Sequence, residues 1–170
     1  MKIVAKTDQG KVRKDNQDSF AAGELPGGVV WAVVCDGMGG AAGGSVASQT
    51  AVKMISEKIA SGYQHGMSDR SIKNLLTSVV ENANSSIYEM SCSVESLNGM
   101  GTTVVAAMIR DKELYLVHAG DSRAYRISQE GITQLTRDHS VVQDMVEHGE
   151  LTRKRRSSTL RVCGVSSVSI

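Results

Sequence analysis

Val29 to Ser45, read VVWAVVCDGMGGAAGGS, constrains this chain more than any other stretch. Val29 to Cys35 is an apolar run of strand length with β-branched and aromatic character, which predicts a buried strand. It stops at Asp36, and glycines follow at positions 37, 39, 40, 43 and 44. A carboxylate at the end of a buried strand is costly unless something positive meets it. Glycines there leave backbone groups free to approach a charged ligand. A metal-supported phosphate site is one reading; in isolation, Asp36-Gly37 reads first as a turn signal.

Gly37, Gly39 and Ala42 also satisfy G-x-G-x-x-A between a strand and a helix, the local context of a dinucleotide fingerprint. Asp36 would then lie beside an anionic pyrophosphate. The sequence also places a second helix where a βαβ unit needs a parallel strand. Nucleotide binding is therefore the weakest of the readings.

With 170 residues and 41% hydrophobic content, the prior is one domain with its own core. The net charge of +1 offers no global attraction to nucleic acid or an anionic membrane. Neither a membrane-length apolar stretch nor a signal-peptide core occurs, so a cytoplasmic protein is expected. Cys35, Cys92 and Cys163 are odd in number and show no C-x-x-C spacing, against a disulfide framework or zinc knuckle. Cys35 reads as a small buried hydrophobe. The four histidines form no H-E-x-x-H pair.

In chain order, Lys2 to Thr7 alternates weakly and predicts an edge strand. Arg13 to Asp18 is polar: by itself a solvated loop, functionally a guanidinium fork for phosphate at Arg13 and an oxygen ligand for a hard cation at Asp18. Leu25-Pro26-Gly27-Gly28 makes Ser19 to Cys35 an antiparallel pair. Ser45 is expected to cap a helix running to Gly62. Ser68 is expected to cap a second, striped by Ile72, Leu75, Leu76, Val79, Val80, Ala83, Ile87 and Met90. The two helices should lie antiparallel over one face of a sheet. Thr102 to Met108, Glu113 to His118, Arg123 to Ile127 and Ile132 to Leu135 then read as an antiparallel meander, giving an α+β layered fold. Gly120-Asp121-Ser122-Arg123 repeats the strand-end carboxylate. If Asp18, Asp36 and Asp121 converge, three oxygen ligands suit Mg²⁺ or Mn²⁺ better than zinc.

Arg13-x-x-Asn16-Gln17-Asp18, Asp36-Gly37-Met38-Gly39-Gly40, Gly99-Met100-Gly101-Thr102-Thr103 and Gly120-Asp121-Ser122-Arg123 occur in an order and spacing that resemble the bacterial PPM-type (type 2C) metal-dependent serine/threonine protein phosphatases. The resemblance runs to about Leu151, with Gln134 to Asp138 similar to the strand and turn before the family's flap. It implies a layered sandwich of mostly antiparallel β-sheets flanked by antiparallel helix pairs, with two Mn²⁺ or Mg²⁺ ions in a cleft at one rim. Asp36 would bridge both ions and the Gly37 carbonyl would ligate one. Asp18 would hold metal-bound water, and Gln17 stands where some members have Glu. Arg13 would orient the substrate phosphate. Asp121 matches the position of a third, more weakly held ion. Met38 replaces the histidine acid of some eukaryotic relatives.

The implied activity is hydrolysis of phosphoserine and phosphothreonine monoesters in proteins, opposing a cognate serine/threonine kinase, with no nucleic-acid or membrane partner. The family pattern continues with a Ser-Asp-Gly segment and a late Asp-Asn segment that supply ligands, whereas no aspartate follows Asp144 here. The expectation is a single domain over 1–170, C-terminally truncated, with sheet edges left unpaired and weak or absent activity alone. The alternative is a catalytically deficient module that binds phosphoproteins or a regulatory partner. Leu160 to Ile170 is expected to be the strand after the flap. Arg153 to Arg156 reads as a solvated face before a nucleic-acid patch, with Ser157 and Ser158 as kinase targets.

Overall fold

The computed structural model describes residues 1–138 and the strand 163–169. Strands β1 (Asp18–Leu25) and β2 (Val29–Met38) form a hairpin closed at Gly27 and Gly28, whose φ values of 83° and 73° favour glycine. Helices α1 (Gly40–Gly62) and α2 (Asp69–Ser93) follow, then a short 3-10 turn, Glu95–Leu97. Next come β3 (Gly101–Thr102), β4 (Val104–Arg110) and β5 (Glu113–Ala119), then β6 (Tyr125–Ser128), β7 (Gly131–Gln134) and β8 (Cys163–Ser169). Among the described residues, the main sheet has the order β1-β2-β4-β5-β8, with β3 also on β2, while β6 and β7 pair with each other in a second sheet. Every described pairing is antiparallel. The expected α+β class is observed, with one helix pair among the described residues.

Strand alternation decides which sheet face is covered. Val29, Trp31, Val33 and Cys35 share a core with Val104, Ala106, Met108, Tyr115 and Val117. Against it α1 lays Ala47, Ala51, Ile55 and Ile59, and α2 lays Ile72, Leu76, Val79, Val80, Ala83 and Ile87. Leu75 and Met90 complete the expected α2 stripe as half-buried neighbours of this core. Phe20 and Val34 point to the opposite face and stay 42% and 48% exposed. Ser68 caps α2 as expected, its hydroxyl accepting from the Ser71 amide at 3.1 Å.

Several sequence expectations are corrected. Lys2 to Thr7 takes no strand; it lies beside the outer face of β1 and β2, where Ile3 and Val4 border a groove with Phe20 and Val34. Ser45 does not cap α1, which starts at Gly40 with Gly39 as N-cap and no side-chain cap bond. Tertiary packing overrides the poor helix propensity of that glycine-rich turn, because a Cβ on Gly44 would meet the Gln17 side chain and the Gly37 carbonyl carbon. Asp36-Gly37 is not a turn: β2 continues through it, with Gly37 opposite Thr102.

The expected meander also breaks after β5. Gly120, at φ 100°, packs onto Thr103 and turns the chain away, so β6 and β7 form a separate hairpin and β8 takes the β5 edge. The strand expected at Leu160 to Ile170 is observed as Cys163–Ser169, antiparallel to β5. Arg153 to Arg156, Ser157 and Ser158 lie outside the described residues.

Candidate active site

The end of β2 is a junction of three backbone segments. The Gly37 amide donates to the Gln17 carbonyl at 3.2 Å, and the Ser48 hydroxyl donates to the same oxygen at 2.6 Å. A Cβ on Gly37 would overlap the Gly44 carbonyl oxygen, so α1 can approach this closely only over glycine. Close backbone packing is thus one reason for these glycines, while Gly37 and Gly39 also line the cleft at this end of β2. Gln17 also donates from Nε2 to the Gly40 carbonyl at 2.9 Å, which ties the entry of β1 to the first turn of α1.

That junction fixes the carboxylates. Asp18 stands directly opposite Asp36 in the β1–β2 ladder, an arrangement of like charges that destabilises a sheet unless a counter-charge is present. Partial enclosure pushes the Asp36 carboxyl above its ordinary range; the Asp18 charge and hydrogen bond push the same way, Arg13 opposes them, and Asp121 adds to the rise. Both aspartates are on the face away from the helices and reach solvent.

A cleft of about 580 Å³ opens over the ladder end, walled by Arg13, Gln17, Asp36, Gly37, Met38, Thr103 and Asp121. The structure thus gathers Arg13, Asp36, Gly37 and Asp121 at one cleft, while Asp18 borders it from the neighbouring groove. The convergence of three carboxylates is only partial: among the described residues, no group of three His, Cys, Asp or Glu side chains stands close enough to hold a metal ion. The donor set still fits a hard cation, because oxygen ligands from one or two carboxylates with water completing the shell suit Mg²⁺ or Mn²⁺.

The sequence reading gave no role to the groups that hold these residues, although Asn16 and Thr103 stand in its motifs. Gln9 donates from Nε2 to the Arg13 carbonyl at 3.0 Å and also to that of Lys14, shaping the loop that presents Arg13. Asn16 accepts the Asp18 amide at 3.0 Å. Ser48 is fully buried on the apolar side of α1, and a polar residue between Ala47 and Ala51 was its signal. The hydroxyl of Thr103 accepts the Asp36 amide at 3.0 Å; its signal was the Thr-Thr pair after Gly101. Cys35 faces the core, and burial pushes its thiol up to about 12, so it is no nucleophile. The dinucleotide reading fails because, among the described residues, β2 pairs with β1, β3 and β4, all antiparallel.

Comparison with known proteins gives one consistent answer. Residues 9–166 match the family model of protein phosphatase 2C. A serine/threonine phosphatase stp of Listeria monocytogenes is 33% identical over 166 residues, covering 94% of this chain and 66% of the relative. This chain therefore spans slightly less than two thirds of the length of that curated relative. The structure of the S. agalactiae serine/threonine phosphatase superposes with a TM-score of 0.80 at 28% identity, covering 97% of this chain and 73% of that one. The catalytic domain of the phosphatase PstP, solved with two manganese ions, gives a TM-score of 0.72 at 31% identity, covering 96% and 69%. On the match across residues 9–166, with its strand-end aspartates at one cleft, the chain belongs to the protein phosphatase 2C family.

Proposed function

We propose that this chain hydrolyses phosphoserine and phosphothreonine monoesters in proteins, as a metal-dependent phosphatase of the cytoplasm that opposes a serine/threonine kinase. The observation that carries the reading is the register Asp18 opposite Asp36 at the rim of a cleft that also holds Arg13. Two opposed carboxylates are unfavourable alone and favourable around cations. Arg13 supplies the one kind of side chain that meets a phosphate with a planar fork.

In this reading Asp36 and the Gly37 carbonyl would hold two Mn²⁺ or Mg²⁺ ions, Asp18 would hold metal-bound water, and Asp121 would hold a third ion more loosely. When bound, such ions neutralise the phosphate and provide an acidic water as the attacking group. The chain's own part is to orient: Arg13 fixes the phosphate, and Gln9 fixes Arg13 through its carbonyl. Met38, 55% exposed at the cleft wall, has no proton to donate, so protonation of the leaving alkoxide would rely on water or another group.

The second reading is a phosphatase-like module that binds phosphoproteins or a regulatory partner without turnover. It is favoured by the lack, among the described residues, of a three-ligand cluster. The two separate in an assay of phosphothreonine-peptide and aryl-phosphate hydrolysis across a Mn²⁺ titration. Phosphatase activity requires turnover that rises with Mn²⁺ and vanishes in Asp36→Asn. A binding module shows no turnover and keeps its partner in that variant.

A further inference from the structure

Thr103 interrupts the line of β3 and β4 without changing its register, since Val34 pairs with Val105 and Gly37 with Thr102 on either side. Asp36 therefore stands opposite Thr103. At this rung the Thr103 amide donates to the Asp36 carbonyl at 2.8 Å in the ordinary way. The return bond is different: the Asp36 amide donates to Thr103 Oγ1 at 3.0 Å, so a side-chain hydroxyl replaces the backbone acceptor. The exchange leaves the Thr103 carbonyl without its ladder donor, and the neighbouring Thr102 hydroxyl, 3.0 Å from that carbonyl and 2.9 Å from the Asp36 carbonyl, can donate its one proton there.

The same Thr103 side chain also reaches the Gly120–Ser122 turn that brings Asp121 to the cleft. Its hydroxyl is 2.6 Å from Ser122 Oγ, and because it already accepts from Asp36 its own proton can go to Ser122. Its γ-methyl fills the space beside Gly120, where an added Cβ would sit 2.7 Å away. Both branches of one residue, 7% exposed, thus hold the turn Gly120–Asp121–Ser122 against the backbone of Asp36.

We propose that Thr103 is a positioning residue that sets the separation of the Asp36 and Asp121 carboxylates and thereby couples cation binding at the two. The inference rests on the metal-dependent reading above. Without the hydroxyl, the Asp36 amide loses its acceptor and Ser122 its anchor, so the Asp36 strand end and the Asp121 turn are free to drift independently. Partners of this outer kind change metal affinity by about 10- to 100-fold when removed.

The test measures Mn²⁺ binding by electron paramagnetic resonance of free Mn²⁺ on the full chain, for wild type, Thr103→Val, Thr103→Ser and Ser122→Ala, each with and without Asp121→Asn. Thr103→Val keeps the shape and loses the hydroxyl; it should weaken Mn²⁺ binding about tenfold or more. Thr103→Ser should restore most of that loss. Asp121→Asn should weaken binding in wild type and add little in Thr103→Val. Ser122→Ala leaves the β2–β4 ladder intact and should reproduce the loss of coupling, so it carries the test if Thr103→Val fails to fold by thermal melting. Equal losses in Thr103→Ser and Thr103→Val would overturn the assignment to the hydroxyl. An undiminished Asp121→Asn effect in Ser122→Ala would overturn the coupling. A folded wild-type chain that binds no Mn²⁺ would remove the metal reading itself, a result distinct from either.

Discussion

Asp36→Asn should stabilise the metal-free protein and abolish its stabilisation by Mn²⁺, so the order of stability of the two proteins should invert with metal. Directly opposed residues of an antiparallel ladder carry Cβ atoms about 4.5–5.5 Å apart. Two unit charges about 5 Å apart repel by about 0.8 kcal/mol in water and about 3 kcal/mol at an effective dielectric constant of 20. Asp18 and Asp36 both reach solvent, and Arg13 offsets part of the repulsion, which places the net relief near the lower figure. Relief of about 1 kcal/mol raises the melting temperature of a domain of this size by about 2–4 °C.

The assay is thermal unfolding in EDTA at pH 7 and low ionic strength, repeated in Mn²⁺. The EDTA gain should shrink as salt screens the pair. Wild type should then gain about 2.7 kcal/mol at a Mn²⁺ concentration about 100 times its dissociation constant. Asp36→Asn should gain little. A variant less stable than wild type in EDTA would refute the electrostatic argument, and an equal Mn²⁺ gain in both proteins would refute the placement of the ion at Asp36.

Gly37→Ala places its Cβ on the Gly44 carbonyl oxygen, a backbone atom that cannot move aside alone, so urea unfolding should show a severe loss of stability or no folded protein. Asp69 accepts from Tyr115 Oη at 2.8 Å and from Arg110, and these partners, Tyr115 first, hold its carboxyl below the ordinary range. Its folded pKa is depressed, so its contribution is present above about pH 4 and is lost as pH falls through the folded value. Asp69→Asn should therefore lower the unfolding midpoint at pH 7 and converge with wild type in strong acid. Cys35 should resist alkylation by iodoacetamide in the native protein and react after unfolding, read by peptide mass mapping, because its side chain is fully buried with a raised pKa.

Much of this molecule was legible because its signals are local. The Pro26-Gly27-Gly28 turn between two apolar runs gave the β1–β2 hairpin, and the α2 stripe with Ser68 before it gave both the helix and its cap. What escaped depends on contacts distant in sequence. Nothing near Gly40 announces a helix start; that turn is held by Gly37, Gln17 and Met100. The chain leaves the sheet at Gly120 because Thr103, seventeen residues earlier, occupies the space beside it. At the site, residue types that bind cations and phosphate were readable as motifs, whereas their register was not. That Asp18 faces Asp36, and that Asp121 shares a cleft with Asp36, follows from pairing across the hairpin and the sheet. Hydroxyls such as Ser48 and Thr103 look like ordinary polar residues until burial shows that each must have a partner.

On the proposed function, the rim formed by Asp18 and Asp36, at the cleft that Arg13 lines, is a cation site built to receive phosphate. Anomalous diffraction at the manganese edge from crystals of the full chain grown with Mn²⁺ tests it most directly. Anomalous density is expected in the cleft within coordination distance of an Asp36 carboxylate oxygen. Density only at other surface carboxylates, or an empty rim in crystals that hold Mn²⁺ elsewhere, would contradict it.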